Sequence, residues 1–273
     1  MKIQLLGTGA AEGIPALYQD SAVSRYARKH GGKDLRSRAA AVIDDLVKVD
    51  FGPDTYAQAA REQLNPADWQ SLFFTHSDDD HLCASELQYC MFPFTEHEFC
   101  PFPIFGNEVV IAEIQRRYPE WPFELITTRS FESVKWQDYT ITPIKAYHKS
   151  DEDAQNLIFD DGKVKFLYGT DTGIWEDPTW EYLSGVQLDG MVLECTDGFR
   201  KGAYFGHLCL SECVMIVEKL REAGILKKDA VVATTHHSHL GEATHGQLED
   251  ALRPHGIEPG FDGMVLRIGS MSE

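Results

Sequence analysis

Long apolar runs are missing from this sequence. No stretch approaches the ~20 residues that a membrane-spanning helix needs, and the first residues, Met1 to Gly7, lack the charged, apolar and small-residue zones of a signal peptide. Basic charge is scarce too. Lys and Arg total 25 against 43 Asp and Glu, a net charge of −18, which disfavours a nucleic-acid partner and docking on anionic lipid, since both attract Lys and Arg. Cysteine is sparse: six residues, at 83, 90, 100, 195, 209 and 213, with no C-x-x-C pair. That is thin for a disulfide framework in 273 residues and fits a reducing cytoplasm. Repeats, low-complexity tracts and linker-like segments are also lacking. What is present is apolar surface: 43% of the residues are hydrophobic, enough to exclude a disordered chain. The length suits one large layered core, so a single domain over residues 1–273 is expected.

Short apolar strands alternate with amphipathic segments. Strands are expected at 2–6, 40–43, 46–49, 72–75, 139–146, 157–159, 164–168, 191–194, 230–234 and 264–268. Asp44-Asp45 reads as a hairpin turn, and Asp160-Asp161-Gly162 as another. Leu210, Val214, Val217 and Leu220 recur at helical spacing, with Ser211 as a candidate cap and Gly224 as a stop. Thr244 and Gln247 form a capping box for a last helix carrying Leu248, Ala251 and Leu252. The Pro-rich patch 93–103 reads as a loop. Strands and helices mixed this way indicate an α/β layered domain.

The densest chemical signal is Thr75-His76-Ser77-Asp78-Asp79-Asp80-His81, directly after a buried strand. Two imidazoles and three carboxylates in six residues repel one another unless a cation holds them or water surrounds them. Both side-chain types are good ligands for first-row metals. A turn after a strand lets alternate residues point into one cleft. His148, Asp171 and His236 each follow another apolar strand, where sites of α/β proteins collect. One such ending is ordinary; three beside the first cluster point to a metal centre.

The string His76-x-Asp78-x-Asp80-His81, followed by His148, Asp171 and His236, resembles the ligand pattern H-x-H-x-D-H, His, Asp, His of the metallo-β-lactamase superfamily. The loop Gly7-Thr8-Gly9, the string Gly169-Thr170-Asp171-Thr172, Gly206-His207-Leu208 and the stretch Gly260 to Met264 are similar to the phosphonate-pathway cyclic phosphodiesterases within it. The resemblance implies a four-layer αββα sandwich with two divalent metal ions at one edge. His76, Asp78 and His148 would hold one ion; Asp80, His81 and His236 the other; Asp171 would bridge them. It implies hydrolysis of a small or cyclic phosphodiester by a metal-bound hydroxide, because paired cations acidify water and neutralise attacking and leaving oxygens. Asp80 and His207 are the candidate catalytic residues, His207 as proton donor to the leaving group. The partner is then a small-molecule phosphodiester, and a homodimer fits the family. Two other readings stay open: another superfamily hydrolysis (lactone or thioester cleavage, or RNA-end processing), and a non-catalytic metal-binding sensor.

Asp78 stands where the superfamily has its second His. An oxygen ligand with added negative charge favours manganese or iron over zinc, or leaves that site weak. Relatives carry a Cys cluster for a separate structural zinc; residues 18–24 here contain no Cys, so no such zinc is expected and His239 loses its partners. The spacing of Gly7, Gly9 and Gly13 fails the G-x-G-x-x-G pattern and reads as a turn beside the metal edge. His237 should point away from His236, Asp79 should face outward, and Cys195 should be a small buried residue. His30, His97, His245 and His255 read as ordinary surface residues. Tyr89, Phe92, Phe94 and Phe99 read as a packed lid, with a substrate mouth as the alternative. Arg36 and Arg38 read as exposed arginines, with a phosphate contact as the alternative.

Overall fold

The computed structural model describes residues 1–202 and 204–269. Two seven-stranded mixed sheets face each other. The first half of the chain supplies β1 (Lys2–Gly7), β2 (Ala40–Ile43), β3 (Val47–Val49), β4 (Ser71–Phe73), β5 (Ile104–Gly106) and β6 (Leu125–Thr127). The second half supplies β7 (Val134–Trp136), β8 (Tyr139–Lys145), β9 (Gln155–Asp160), β10 (Lys165–Gly169), β11 (Leu188–Glu194), β12 (Leu226–Thr235) and β13 (Glu258–Pro259). The last strand, β14 (Val265–Arg267), returns to the first sheet and pairs with β1. The sheet orders are β14-β1-β2-β3-β4-β5-β6 and β13-β12-β11-β10-β9-β8-β7.

The period-2 alternation of the strands explains the layering. Ile3, Leu5, Ile43, Val47, Val49 and Phe73 meet Ile141, Leu157, Phe159, Phe166 and Val192 in the space between the sheets. The opposite faces are apolar as well, because helices cover them. Leu72, Phe74 and Ile104 pack on α3 (Glu108–Arg117) through Val110 and Ile114. Leu6, Ala40 and Val42 pack on Ala59 of α2 (Thr55–Arg61). Leu167, Met191, Leu193 and Val232 pack on α5 (Leu210–Glu222) and α6 (His245–Leu252) through Val217, Leu220 and Leu248. The four layers are helix, sheet, sheet, helix, the α/β sandwich expected.

Local rules hold at the Asp44-Asp45 turn and at the start of the last helix. Asp44 and Asp45 have φ of 47° and 62°, the left-handed pair of a type I′ hairpin. Thr244 and Gln247 form the capping box of α6. The cap of α5 is Cys209, with Glu212 returning a bond to its amide, and not Ser211. Four helices were not foreseen: α1 (Ala22–His30), α2, α3 and α4 (Asp177–Leu183). Two of them, α2 and α4, span only seven residues, and α3 opens on Glu-Val-Val-Ile, β-branched residues that suit a strand equally. No helix among the described residues is long and apolar enough to cross a membrane.

Candidate metal centre

The loop from His76 to His81 leaves β4 and folds back against the turn after β3. Phe51 N donates to His81 O at 2.8 Å, and Cys83 N donates to Phe51 O at 2.8 Å. Gly52 permits this approach: a Cβ there would sit 1.9 Å from Asp80 O. The second sheet brings the remaining groups. His148 follows β8, Asp171 follows β10 and His236 follows β12. Asp171 and His236 both sit in the left-handed region, with φ of 47° and 57°, a conformation that residues other than glycine seldom hold unless their surroundings fix it.

Side chains that the sequence reading overlooked set the imidazole tautomers. Thr75 Oγ1 donates to Asp50, so it accepts from His76 Nδ1 (3.0 Å). Asp50 Oδ2 accepts from His81 Nδ1 (2.8 Å). Thr196 Oγ1 donates to Glu194 Oε2 (2.5 Å), so it accepts from His236 Nδ1 (2.9 Å). Gly206 O accepts from His148 Nδ1 (3.2 Å). Each ring, in its neutral form, therefore carries its proton on Nδ1 and presents the lone pair of Nε2 inward. Asp50 and Glu194 were legible by the rule that found Asp171, since each ends a buried apolar strand.

Those lone pairs face carboxylates. His81 Nε2 lies 3.1 Å from Asp80 Oδ2 and 3.0 Å from Asp171 Oδ2. His236 Nε2 lies 3.1 Å from Asp171 Oδ1 and 3.6 Å from Asp80 Oδ2. His148 Nε2 lies 3.1 Å from Asp78 Oδ2 and 3.9 Å from Asp171 Oδ1, and His76 Nε2 lies 3.5 Å from Asp78 Oδ2. The Nε2 atoms of His76, His81 and His236 are buried without a hydrogen-bond partner. Lone pairs set against anions repel unless a cation or proton lies between them. Burial disfavours a charged His81 ring, but Asp80, Asp171 and Asp50 together overcome it and push its pKa well above the ordinary value. Asp171 is fully buried, yet the rings of His236, His81 and His76 hold its carboxyl well below the usual range. Oxygen and imidazole donors arranged this way fit divalent cations. His76, His148 and Asp171 form one group with converging donor atoms, Asp80, His81 and His236 a second, and Asp171, His207 and His236 a third.

His207 stands at the lip of this cluster. Its Nδ1 donates to Glu194 Oε1 at 2.9 Å. Burial favours the neutral ring, but the Glu194 charge, aided by Asp171 and Asp197, outweighs it and raises the pKa to about 9. The cluster opens into a cleft of about 700 Å³, whose walls include Glu12, Asp197, Arg200, Lys201 and Tyr204.

A shared architecture and donor set raise the question of descent, and the beta-lactamase superfamily domain matches residues 47–238. This chain belongs to the metallo-β-lactamase superfamily of hydrolases. The superfamily fold implies divalent metal ions. Several solved structures share that fold. A diphosphatase from the PhnP family is 23% identical, with a TM-score of 0.76 and 98% of each chain covered. Zn²⁺-bound PqqB from Methylobacterium extorquens is 13% identical, with a TM-score of 0.74, covering 98% of this chain and 100% of its own. Human tRNase Z, short form, is 16% identical, with a TM-score of 0.67, covering 99% and 100%. No curated protein matches the sequence.

Several residues of this superfamily member lie elsewhere than expected. Arg36 is buried, not exposed, and donates to Thr8 Oγ1 (2.8 Å) and Gly260 O (2.5 Å). Arg38 pairs with Asp54 at 2.9 Å. His245 is buried, not superficial, with Nδ1 3.1 Å from Arg36. Tyr89, Phe92, Phe94 and Phe99 are exposed, so they form no packed lid, and none lines the metal cleft. Others lie as expected: Asp79 faces outward and His237 is buried beside Thr234, while His239 lies beside Glu12.

Proposed function

We propose that this chain is a dinuclear metal-dependent phosphodiesterase acting on a small or cyclic phosphodiester in the cytoplasm. His76, Asp78 and His148 would hold one ion, Asp80, His81 and His236 the other, with Asp171 between the two groups. The observation that carries the reading is the set of inward Nε2 lone pairs on His76, His81, His148 and His236 set against three carboxylates. Two bound cations supply Lewis acidity and acidify water to a nucleophile at neutral pH.

The chain's own residues do the rest. Asp171 has one oxygen toward His81 and the other toward His236 and His148, so its carboxylate ties the two groups together. Asp80 holds its carboxylate beside both His81 and His236. His207, kept protonated by Glu194, donates a proton to the departing oxygen. Tyr204 packs across His148 and His207 and closes one wall. Arg200 and Lys201 line the cleft as exposed side chains in ion pairs with Glu242 (3.9 Å) and Glu212 (2.8 Å), weak pairs that an anionic substrate can displace. Six free thiols fit a reducing compartment.

Arg200 and Lys201 favour one further reading, a diphosphate bond, which also agrees with the similarity to a diphosphatase. The test is hydrolysis of bis(p-nitrophenyl) phosphate by manganese-loaded protein. Turnover that disappears in Asp171→Ala supports the phosphodiesterase. Inertness toward every phosphodiester, with cleavage of a nucleoside diphosphate, would replace it with the diphosphatase. Inertness toward both, with metabolite binding retained, would leave a sensor.

A further inference from the structure

Each ring at the centre is held from behind: His76 by Thr75, His81 by Asp50, His236 by Thr196 and His148 by Gly206 O. Asp78 has a counterpart. Lys149 Nζ donates to its Oδ1 at 2.7 Å, while Oδ2 faces His148 Nε2 and His76 Nε2. Lys149 is itself anchored, lying 3.2 Å from Glu152 Oε2 and 3.3 Å from Ser77 Oγ. Glu152 is buried, and it accepts from Ser77 Oγ and Asn107 Nδ2, both at 2.7 Å. Asn107 caps α3 by accepting from Val109 N and Val110 N. A continuous polar chain therefore runs from the first turn of a helix to the outer oxygen of Asp78.

A carboxylate differs from the imidazole expected here in two ways. It has two equivalent oxygens and can rotate to offer both, and it adds a negative charge. The Asp78 side chain is also 36% exposed, free to swing outward where the buried rings are not. An ammonium on the outer oxygen answers all three: it occupies Oδ1, stops the swing and offsets charge. We propose that Lys149, anchored by Glu152, is a positioning residue that fixes Asp78 as a one-oxygen ligand and so lets a carboxylate serve at this corner of the site. The inference rests on the dinuclear reading above.

The test is a Mn²⁺ titration of metal-free protein, with unbound Mn²⁺ followed by electron paramagnetic resonance and bound metal counted by mass spectrometry. Wild type should take up two ions. Lys149→Met should weaken one by ~10–100-fold, the range for lost partners of metal ligands, and Lys149→Arg should restore it to within ~3-fold. In the Asp78→His background, Lys149→Met should change affinity by less than ~3-fold, because a ring needs no ammonium; contacting residues are expected to be non-additive in this way. Glu152→Gln keeps the ammonium but loosens it, so it should weaken the same ion by less than Lys149→Met, and it carries the test if circular dichroism shows that Lys149→Met does not fold. Wild-type affinities in both Lys149→Met and Glu152→Gln would overturn the proposal, as would an equal loss in the Asp78→His background. A wild type that binds no transition-metal ion would overturn the dinuclear reading itself.

Discussion

Glu194 accepts from His207 Nδ1 at 2.9 Å while the same carboxylate accepts from Thr172 N, Thr196 N, Thr196 Oγ1 and Leu208 N. It is fully buried. Such a group has every lone pair used, so its charge is fixed in place and aimed at one ring.

Glu194→Gln is expected to damage both stability and chemistry. An amide must turn an NH₂ toward one of those donors, at a cost of ~1–3 kcal/mol, read as a lower melting temperature. If His207 is the proton donor it must be protonated to act, so activity declines as pH rises through its pKa. Loss of the Glu194 charge lowers that pKa from about 9, moving the alkaline limb of kcat/KM to lower pH. An unmoved limb would remove His207 from the donor role.

Asp171→Ala should lose metal and activity together. Its carboxylate contacts rings of both groups, so bound metal should fall below two equivalents and phosphodiester hydrolysis by at least ~10². Chelation of wild type should lower its melting temperature, and Mn²⁺ at about a hundred times its Kd should restore ~2.7 kcal/mol. A melting temperature indifferent to chelator would contradict this.

Lys48 makes a separate prediction about pH. Burial pushes its ammonium pKa down to about 7, with the Asp50 charge opposing, and its Nζ donates to the backbone carbonyls Val49 O and Asp50 O. Between about pH 7 and the ordinary lysine value of ~10.4, the unfolded chain binds a proton that the folded chain does not, so folding stability rises with pH. The gain is on the order of 4 kcal/mol over that window. Lys48→Met removes this slope. The melting temperature of the variant minus that of wild type should be largest near pH 6 and shrink toward pH 10; a constant difference would show that Lys48 titrates normally.

Gly52→Ala should leave the sandwich intact and spoil the metal loop. Its new methyl would meet Asp80 O at 1.9 Å, a backbone atom that cannot turn aside. Overpacking of this kind costs ~1–3 kcal/mol, and the displaced loop carries Asp80 and His81. Far-ultraviolet circular dichroism should be unchanged while Mn²⁺ uptake falls; normal uptake would show that the loop adapts.

The candidate ligands were legible because they follow apolar strands, a position readable without knowing which strands pair. Asp50 and Glu194 obey that rule equally, but a single acidic residue after Val49 or Leu193 has nothing beside it in sequence to suggest a ring to orient. Arg36 was misread because charge alone suggests exposure; only the return of Gly260 and His245 from the far end of the chain buries it. The helices α2 and α4 were missed because two turns carry too few apolar positions to establish a period. Lys149 was invisible for a related reason: its meaning depends on Asp78, 71 residues away.

His76 to His81 leave one sheet, while His148, Asp171 and His236 leave the other. Ions gripped there would act as a rivet through the seam of the sandwich, tying the loops of one sheet to those of the other. A chain starved of metal is expected to gape at that edge while its oily interior stays shut, so that limited proteolysis of chelated protein should cut first in the loops that leave the two sheets there.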